Sequence, residues 1–166
     1  MTSKWSPELN AETVRQIFDC DPETGRLTWR VYRPKCPIGA EVGTLHHKGY
    51  RRVLYNWRSY GVHRIIWLYV YGEWPKDQID HINGIRDDNR ITNLREATNQ
   101  QNQWNRPVKK GATTGIKGVR RHQKGFQVSV QKDGREQYIG YYSDAEVARA
   151  AYRSAIAHRG EFRRAD

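Results

Sequence analysis

The chain has 166 residues, a mass of 19.5 kDa and a formal net charge of +11 at pH 7. This length allows one ordinary domain or two to three small ones, and a mean hydropathy of −0.95 leaves room for only a modest core. No apolar run approaches the ~20 residues of a membrane span, and the first five residues lack the apolar stretch of a signal peptide. Two cysteines, Cys20 and Cys36, cannot make a four-cysteine zinc site or a disulfide framework. The sequence therefore predicts a soluble intracellular protein with no membrane association.

The basic charge is concentrated in the last third of the chain. Residues 108–166 carry 13 basic and 6 acidic side chains, whereas residues 76–107 carry five of each. A strongly basic soluble domain most often binds nucleic acid. We therefore expect the C-terminal part to hold a polyanion while carboxylates in the middle of the chain take part in chemistry.

Residues 1–75 predict a β-rich scaffold that leads into the middle segment. Apolar residues at helical spacing, turn residues and short alternating runs mark its elements. The predicted elements are a helix over residues 10–18 capped by Asn10, a turn over 21–25, a strand over 26–32, two short strands around Asn56, and a helix over 62–71 that ends at Gly72. A buried strand is the alternative for residues 62–71, because periodicity does not separate the two in a short apolar run.

Residues 76–107 predict a strand, a turn, a loop and a helix. The strand covers residues 78–81, and Asn83-Gly84 is typical of a tight turn. The helix is expected over residues 94–104, with Thr92 or Asn93 as its cap. This unit is too small to form a core alone, so we expect it to pack on the segment before it.

Residues 108–117 have the composition of a linker, and residues 118–166 predict a second small domain. Three strands are expected over residues 118–122, 126–132 and 135–141, with Asp133-Gly134 as a hairpin turn and a capping box at Ser143–Glu146 opening a helix that Gly160 ends. The predicted fold class is α+β, with a three-stranded antiparallel sheet packed on one helix. The other face of that sheet is expected to be exposed.

The chemistry-bearing residues cluster between residues 80 and 102. Hydrolysis of a phosphodiester needs a base that deprotonates water and a cation that offsets the added negative charge. Asp80 and His81 at a strand end can supply a carboxylate and an imidazole, with a local distortion of the strand expected where both face one site. Asn102, on the helix that follows, can supply an amide oxygen, and such oxygen ligands suit Mg²⁺ or Mn²⁺ better than Zn²⁺.

Residues 78–102 resemble the HNH endonuclease motif, the ββα-metal centre of homing and colicin-type nucleases, and the asparagine at 102 resembles the phage homing branch. The resemblance implies these roles: His81 as the general base, Asn93 as the residue that holds the loop and orients His81, and Asp80 and Asn102 as ligands of one Mg²⁺ (or Mn²⁺) ion per active site. Asn99 is the alternative to Asn102. His63 is expected to be structural or close to a phosphate, and Asp87 and Asp88 to be surface charges of the loop.

The C-terminal module resembles the ethylene-response-factor (APETALA-type) DNA-binding domain of plants, which also occurs fused to phage HNH nucleases. The resemblance is carried by Gly118-Val119-Arg120-Arg121, Phe126 to Val130, Tyr138 to Tyr141 and Ala145 to Tyr152. It implies that the exposed sheet face binds the DNA major groove. Strand alternation then predicts six DNA-contacting residues: Arg120, His122, Gln127, Ser129, Gln131 and Tyr138.

Together these features predict a metal-dependent homing-type endonuclease that cuts double-stranded DNA in a bacterial or phage-infected cytoplasm, with no obligate protein partner. The alternative is a non-catalytic sequence-specific DNA-binding regulator with a relic nuclease fold. An RNA-binding module is a weaker alternative, because no pair of aromatics for stacking RNA bases is evident.

Overall fold

The computed structural model describes residues 9–108, 111–132 and 134–162. Helices and several small antiparallel sheets are mixed along the chain, which confirms the α+β class. The chain divides into two compact units, residues 1–99 and residues 100–166. The four segments predicted from the sequence remain a prediction, and two linker residues, 109 and 110, lie outside the described ranges. Within those ranges no helix is long and apolar enough to cross a bilayer.

The first unit contains two helices and seven strands within its described part. In chain order they are α1 (Ala11–Ile17), β1 (Phe18–Asp21), β2 (Arg26–Trp29), β3 (Thr44–Leu45), β4 (Arg51–Tyr55), β5 (Arg58–Gly61), α2 (Val62–Tyr71), β6 (Gln78–His81) and β7 (Leu94–Ala97). The strands form three antiparallel sheets, which are β1–β2, β3–β4–β5 and β6–β7. A short 3₁₀ helix, Ile91–Asn93, precedes β7.

Helix α2 forms the centre of the first core. Val62, Ile65, Ile66 and Leu68 are almost fully buried on it and pack with residues of α1, β1, β2 and β4. Each such aliphatic side chain contributes about 1.5–3 kcal/mol when fully buried. Gly72 ends the helix in the left-handed region (φ 80°), where glycine has no steric cost. Of the two alternatives for residues 62–71, the helix is therefore confirmed, and it presents His63 at its first turn.

The predicted helix over residues 94–104 is wrong in its first half. Leu94–Ala97 forms β7, and only α3 (Asn99–Trp104) is helical. Leu, Arg, Glu and Ala all favour helix locally, but β7 pairs with β6 so that Leu94 lies opposite His81 and Arg95 lies opposite Asp80. The ladder hydrogen bonds and the burial of Leu94 and Ala97 outweigh a propensity difference of a few tenths of a kcal/mol per residue.

The second unit contains the three predicted strands and the predicted helix. They are β8 (Val119–His122), β9 (Gly125–Lys132), β10 (Arg135–Tyr142) and α4 (Ala145–Ala155), with sheet order β10–β9–β8. Val128 and Ala148 are fully buried between sheet and helix. Asp133 of the hairpin turn lies outside the described residues. The helix ends before a 3₁₀ segment, Ala157–Phe162, so Gly160 does not terminate it.

Candidate active site and DNA-binding face

His81 lies at the end of β6 and is 4% exposed. Its Nε2 lies 3.3 Å from Oδ1 of Asn89, and its ring contacts the rings of His63 and Tyr50, with centroids 5.2 and 5.8 Å away. We assign the ring proton to Nε2 on the basis of this contact, because an amide oxygen only accepts hydrogen bonds. The lone pair is then on Nδ1, which makes Nδ1 the basic atom of this imidazole.

The surroundings of His81 keep its imidazole neutral. Burial lowers its pKa, and the charge of Arg86 acts in the same direction, while the Asn89 hydrogen bond and the carboxylates of Asp80 and Asp88 partly oppose the shift. A histidine with a pKa below its usual value is unprotonated near pH 7. The ring can therefore accept a proton from a water molecule without first losing one.

Asn93 ties together the loop that follows His81. Its Oδ1 accepts from the backbone N–H of Asn83 (3.0 Å), and its Nδ2 donates to the backbone carbonyl of Asp88 (2.7 Å). Its own carbonyl accepts from the backbone N–H of Ile82 at 2.9 Å. Asn93 is 6% exposed, so these bonds are shielded from competing water. Asn93 therefore holds the loop together, and its role in orienting His81 remains a prediction.

Residues of the N-terminal scaffold also hold the loop that follows His81, through contacts that no local sequence pattern predicts. Gly25 has a φ of +72°, and a Cβ there would lie 2.3 Å from the backbone nitrogen of Arg90, so the turn after β1 admits only glycine at this approach. Pro22 accepts a backbone bond from Ile91 (2.9 Å). Arg51 on β4 donates from Nε to Asp87 at 3.1 Å, so Asp87 is an exposed charge of the loop, as predicted, and also anchors the loop to the scaffold.

Asp80 is buried beside a guanidinium that the sequence analysis did not consider. Nε and Nη2 of Arg95 donate to its Oδ2 at 2.9 and 2.8 Å, and the side chains of Arg95 and Asp80 are 11% and 5% exposed. The β6–β7 register is regular through Asp80 and His81, so the expected distortion of the strand is not found in the ladder. Reading residues 94–97 as a strand would have placed Arg95 opposite Asp80.

The available donors fit a hard divalent cation. Asp80 would supply a carboxylate oxygen, and Asn102 of α3 would supply an amide oxygen. Oxygen donors of this kind suit Mg²⁺ or Mn²⁺. Asn102 belongs to the second unit, so its role as a ligand remains a prediction, as does the alternative, Asn99. The described residues contain no group of three or more His, Cys, Asp or Glu side chains placed to hold a metal.

The outward face of the second unit's sheet carries most of the residues predicted to contact DNA. Arg120, His122, Gln131 and Tyr138 are exposed and Gln127 is half-buried. Ser129 differs: it is 7% exposed, and its hydroxyl donates to Oε1 of Glu136 at 2.5 Å. The same carboxylate accepts from Arg120 at 3.0 Å, which places an acidic group in the middle of this face.

Tyr141 joins this face through an irregularity that strand alternation does not predict. Tyr138 pairs with Ser129 and Gly140 with Val128, so Ile139 is an extra residue on β10. This bulge shifts the alternation by one position and turns Tyr141 to the same side as Tyr138. Tyr141 lies opposite Gln127 and, with Tyr138 and His122, lines a shallow cleft.

Two comparisons with known proteins give matches. A family model described as HNH endonuclease matches residues 60–104. The chain is 30% identical over 105 residues to "Protein 3.8" of Escherichia phage T7, a match that covers 61% of this chain and 87% of that protein. The chain belongs to the family of phage T7 protein 3.8. Residues 60–104 are an HNH endonuclease domain. No solved structure gives a significant match.

The HNH domain runs from the end of β5 to the end of α3, and therefore includes His63, His81, Asn93 and Asn102. An HNH nuclease domain implies a DNA substrate. The matched segment ends before β8, and the resemblance of residues 118–152 to a plant-type DNA-binding domain stays a prediction.

His63 is a second buried imidazole of the HNH domain. Its Nδ1 has no hydrogen-bond partner among the described residues. Burial lowers its pKa to about 3; the neighbouring imidazole of His81, which disfavours a second positive charge, and the cations Arg64 and Arg52 add to the shift. His63 is therefore neutral in the folded protein, whereas in the unfolded chain it titrates at its ordinary pKa of about 6.5.

Replacing His63 with phenylalanine is expected to reduce the loss of unfolding free energy that accompanies a fall in pH. The folded-state pKa of His63 lies below its unfolded value. The stability that the neutral His63 contributes is therefore fully present above pH 6.5 and is lost as the pH falls from there towards 3. Between pH 7.5 and pH 5.0, proton uptake by this one histidine on unfolding lowers the free energy of unfolding by about 2 kcal/mol. Phenylalanine keeps the ring contacts with Tyr50 and His81 but removes the titration. Urea unfolding at the two pH values measures the difference.

The matched control is His47→Phe, which removes an exposed histidine from the same unit. It should leave the wild-type loss of stability between pH 7.5 and pH 5.0 unchanged. An equal loss in His63→Phe and in the wild type would contradict the assignment of this loss to His63.

Proposed function

We propose that the protein is a divalent-metal-dependent endonuclease of the homing type that hydrolyses phosphodiester bonds in double-stranded DNA. The observation that carries the proposal is the setting of His81 within the HNH domain. Its imidazole is buried, neutral and hydrogen-bonded through Nε2 to Asn89, and we assign Nδ1 as its basic atom. A positioned base of this kind contributes roughly 10²–10⁴-fold to a hydrolytic rate.

In the proposed step, Nδ1 of His81 takes a proton from a water molecule. The resulting hydroxide forms a bond to phosphorus on the side opposite the 3′ oxygen. The bond between phosphorus and the 3′ oxygen breaks. The ends produced are a 5′-phosphate and a 3′-hydroxyl, once the 3′ oxygen has taken up a proton from solvent. His81 returns to its neutral form by releasing its proton to solvent.

The other residues of the site act by position. Asn89 keeps the tautomer of His81, and Asn93 holds the loop on which Asn89 lies. Arg95 fixes the orientation of the Asp80 carboxylate. Asp80 and Asn102 would hold the cation, which when bound supplies positive charge against the charge that develops on the phosphate and on the leaving oxygen.

The second unit is proposed to bind the duplex through its exposed sheet face. Arginine and glutamine there can hydrogen-bond base edges in the major groove, and tyrosine can pack on sugars or thymine methyl groups. Arg120, His122, Gln127, Gln131 and Tyr138 are the proposed contacts, to which the bulge in β10 adds Tyr141. The relationship to a phage protein supports action in the cytoplasm of a bacterium or of a phage-infected host.

The direct test is incubation of the purified protein with supercoiled plasmid and Mg²⁺. The expected result is conversion to open circles or linear DNA, which EDTA prevents. A protein that binds the plasmid but never nicks it in Mg²⁺ or Mn²⁺ would overturn the proposal and leave the non-catalytic regulator in its place.

Replacing Glu136 with glutamine is expected to raise the affinity for duplex DNA by roughly 3- to 10-fold at about 100 mM salt. The change removes an anionic group from the proposed binding face and releases Arg120 for a phosphate or a base. Fluorescence anisotropy with a labelled duplex in EDTA measures the affinity without cleavage.

Glu146→Gln is the control, because it removes the same charge from the exposed first turn of α4. It should change the affinity by less than about twofold, since α4 lies on the opposite face of the sheet. Equal effects of the two substitutions would show that net charge, rather than this face, governs the binding.

A further inference from the structure

The turn between β4 and β5 presents a tryptophan in an unusual backbone conformation. Tyr55 pairs with Arg58, so Asn56 and Trp57 form a two-residue hairpin loop, with φ values of 47° and 64°. Hairpin loops in which both residues have positive φ normally carry glycine at the second position, because a Cβ there is strained. Trp57 is nevertheless at this position, and it is 92% exposed.

This arrangement does not serve the fold. An exposed indole buries almost no apolar surface, and its backbone would be less strained as glycine. Strained residues that make no packing contacts occur mainly at functional sites. The strained and exposed Trp57 therefore points to a contact with another molecule. The hairpin is held in place by the guanidinium of Arg33, which lies 4.9 Å from the ring centroids of both Tyr55 and Trp29.

The charge around the hairpin favours a polyanion as the occupant. Residues 42–72 contain five arginine or lysine residues and no aspartate or glutamate; one of the five, Arg51, is ion-paired with Glu41 and Asp87. Arg58, directly after Trp57, is exposed. A protein partner or a second copy of this chain would need acidic groups to match this surface, and the chain itself is basic overall.

We propose that Trp57 is a wedge that inserts between base pairs of the duplex that the HNH domain cuts. Apolar side chains inserted at base steps unstack and unwind DNA, and basic neighbours hold the backbone on either side. β5 spans about 13 Å between Trp57 and the start of α2, where His63 contacts His81. At about 3.4 Å per base pair, the wedge lies within several base pairs of the cleaved bond. The proposal rests on the proposed function in that its ligand is the duplex being cut.

The test is the substitution Trp57→Gly in the full-length protein. Binding to a labelled 30-base-pair duplex of mixed sequence is followed by anisotropy in EDTA, so that neither a cation nor cleavage is involved. The affinity is expected to fall about 10-fold, in the range found when an aromatic–base stack is lost. The Tm is expected to rise by about 4 °C, because glycine relieves the strained turn. Tyr71→Ala, which removes an exposed aromatic from α2, should change the affinity by less than about twofold.

A second measurement separates insertion from surface contact. Wild-type protein bound to a relaxed closed plasmid, followed by topoisomerase treatment, should leave the plasmid with a lower linking number, and Trp57→Gly should not. The proposal is overturned if Trp57→Gly binds as tightly as the wild type, if its Tm falls together with its affinity, or if the wild type leaves the linking number unchanged. A change in sedimentation with unaltered DNA affinity would assign this surface to self-association instead.

The two proposals fail separately. An active nuclease whose binding does not depend on Trp57 overturns the wedge alone. A protein that never nicks DNA, but whose cation-free binding and unwinding depend on Trp57, overturns the nuclease alone.

Discussion

Replacing His81 with alanine should reduce the rate of plasmid nicking by about 10²–10⁴-fold, which is the contribution of a positioned general base. Binding of the duplex in EDTA should stay within about twofold of the wild type, because the imidazole is 4% exposed and offers the DNA little surface. Nicking of supercoiled plasmid in Mg²⁺, measured at saturating protein, gives the rate. Anisotropy gives the affinity.

His46→Ala is the matched control for this experiment. It removes an imidazole from an exposed position of the same unit, and its nicking rate should match the wild type. The Tm of His81→Ala is measured alongside, and His81→Gln, which keeps most of the buried volume, should show the same loss of rate. Wild-type nicking by a folded His81→Gln variant would eliminate His81 as the base.

Replacing Arg95 with methionine should lower the free energy of unfolding by about 3 kcal/mol or more, the largest effect on stability that we expect from a single side chain of the site. The substitution keeps the length of the side chain but leaves the buried Asp80 carboxylate without its guanidinium. Removing one member of a buried ion pair costs about 3–5 kcal/mol, because the remaining charge has lost its solvation without compensation. Urea unfolding measures the change.

Two further variants decide whether this loss comes from the charge. Arg90→Met removes the guanidinium of a pair with Asp88 in which the arginine is 51% exposed, and should cost less than about 1 kcal/mol. The double variant Asp80→Asn/Arg95→Met should recover much of the lost stability, since neither position of the pair then carries a charge. A loss below about 1 kcal/mol for Arg95→Met would mean that other groups stabilise the Asp80 carboxylate.

Residues 94–97 show why local sequence patterns predict the wrong secondary structure at the edge of the site. Each of these residues has a good helix propensity, and their pattern continues smoothly into α3. Residues 94–97 form a strand because they pair with β6, from which a loop of more than ten residues separates them. That pairing brings Arg95 to Asp80, so the misassigned element and the missed ion pair have one cause.

Asn89 and Tyr141 were missed for related reasons. Asn89 lies in a loop without periodicity, and only its approach to His81 gives its amide a role. The position of Tyr141 depends on one bulged residue, Ile139, which shifts the alternation of β10 by one position. Neither a buried loop amide nor a bulge has a reliable short-range signature.

Local chemistry in the chain is sufficient to predict the α+β class, α1 with its Asn10 cap, the hairpin turns and the sheet-plus-helix unit, because caps, turns and alternation depend on neighbouring residues. The assignment of the Asp80–His81 pair as the centre of chemistry remains a prediction. The state of that pair depends on contacts between residues far apart in the chain. Burial against His63 and Tyr50 lowers the pKa of His81, Asn89 holds its Nε2, and Arg95 compensates the carboxylate. Only folding removes water from these groups and brings their partners together, and their proton affinities and charge balance follow from that.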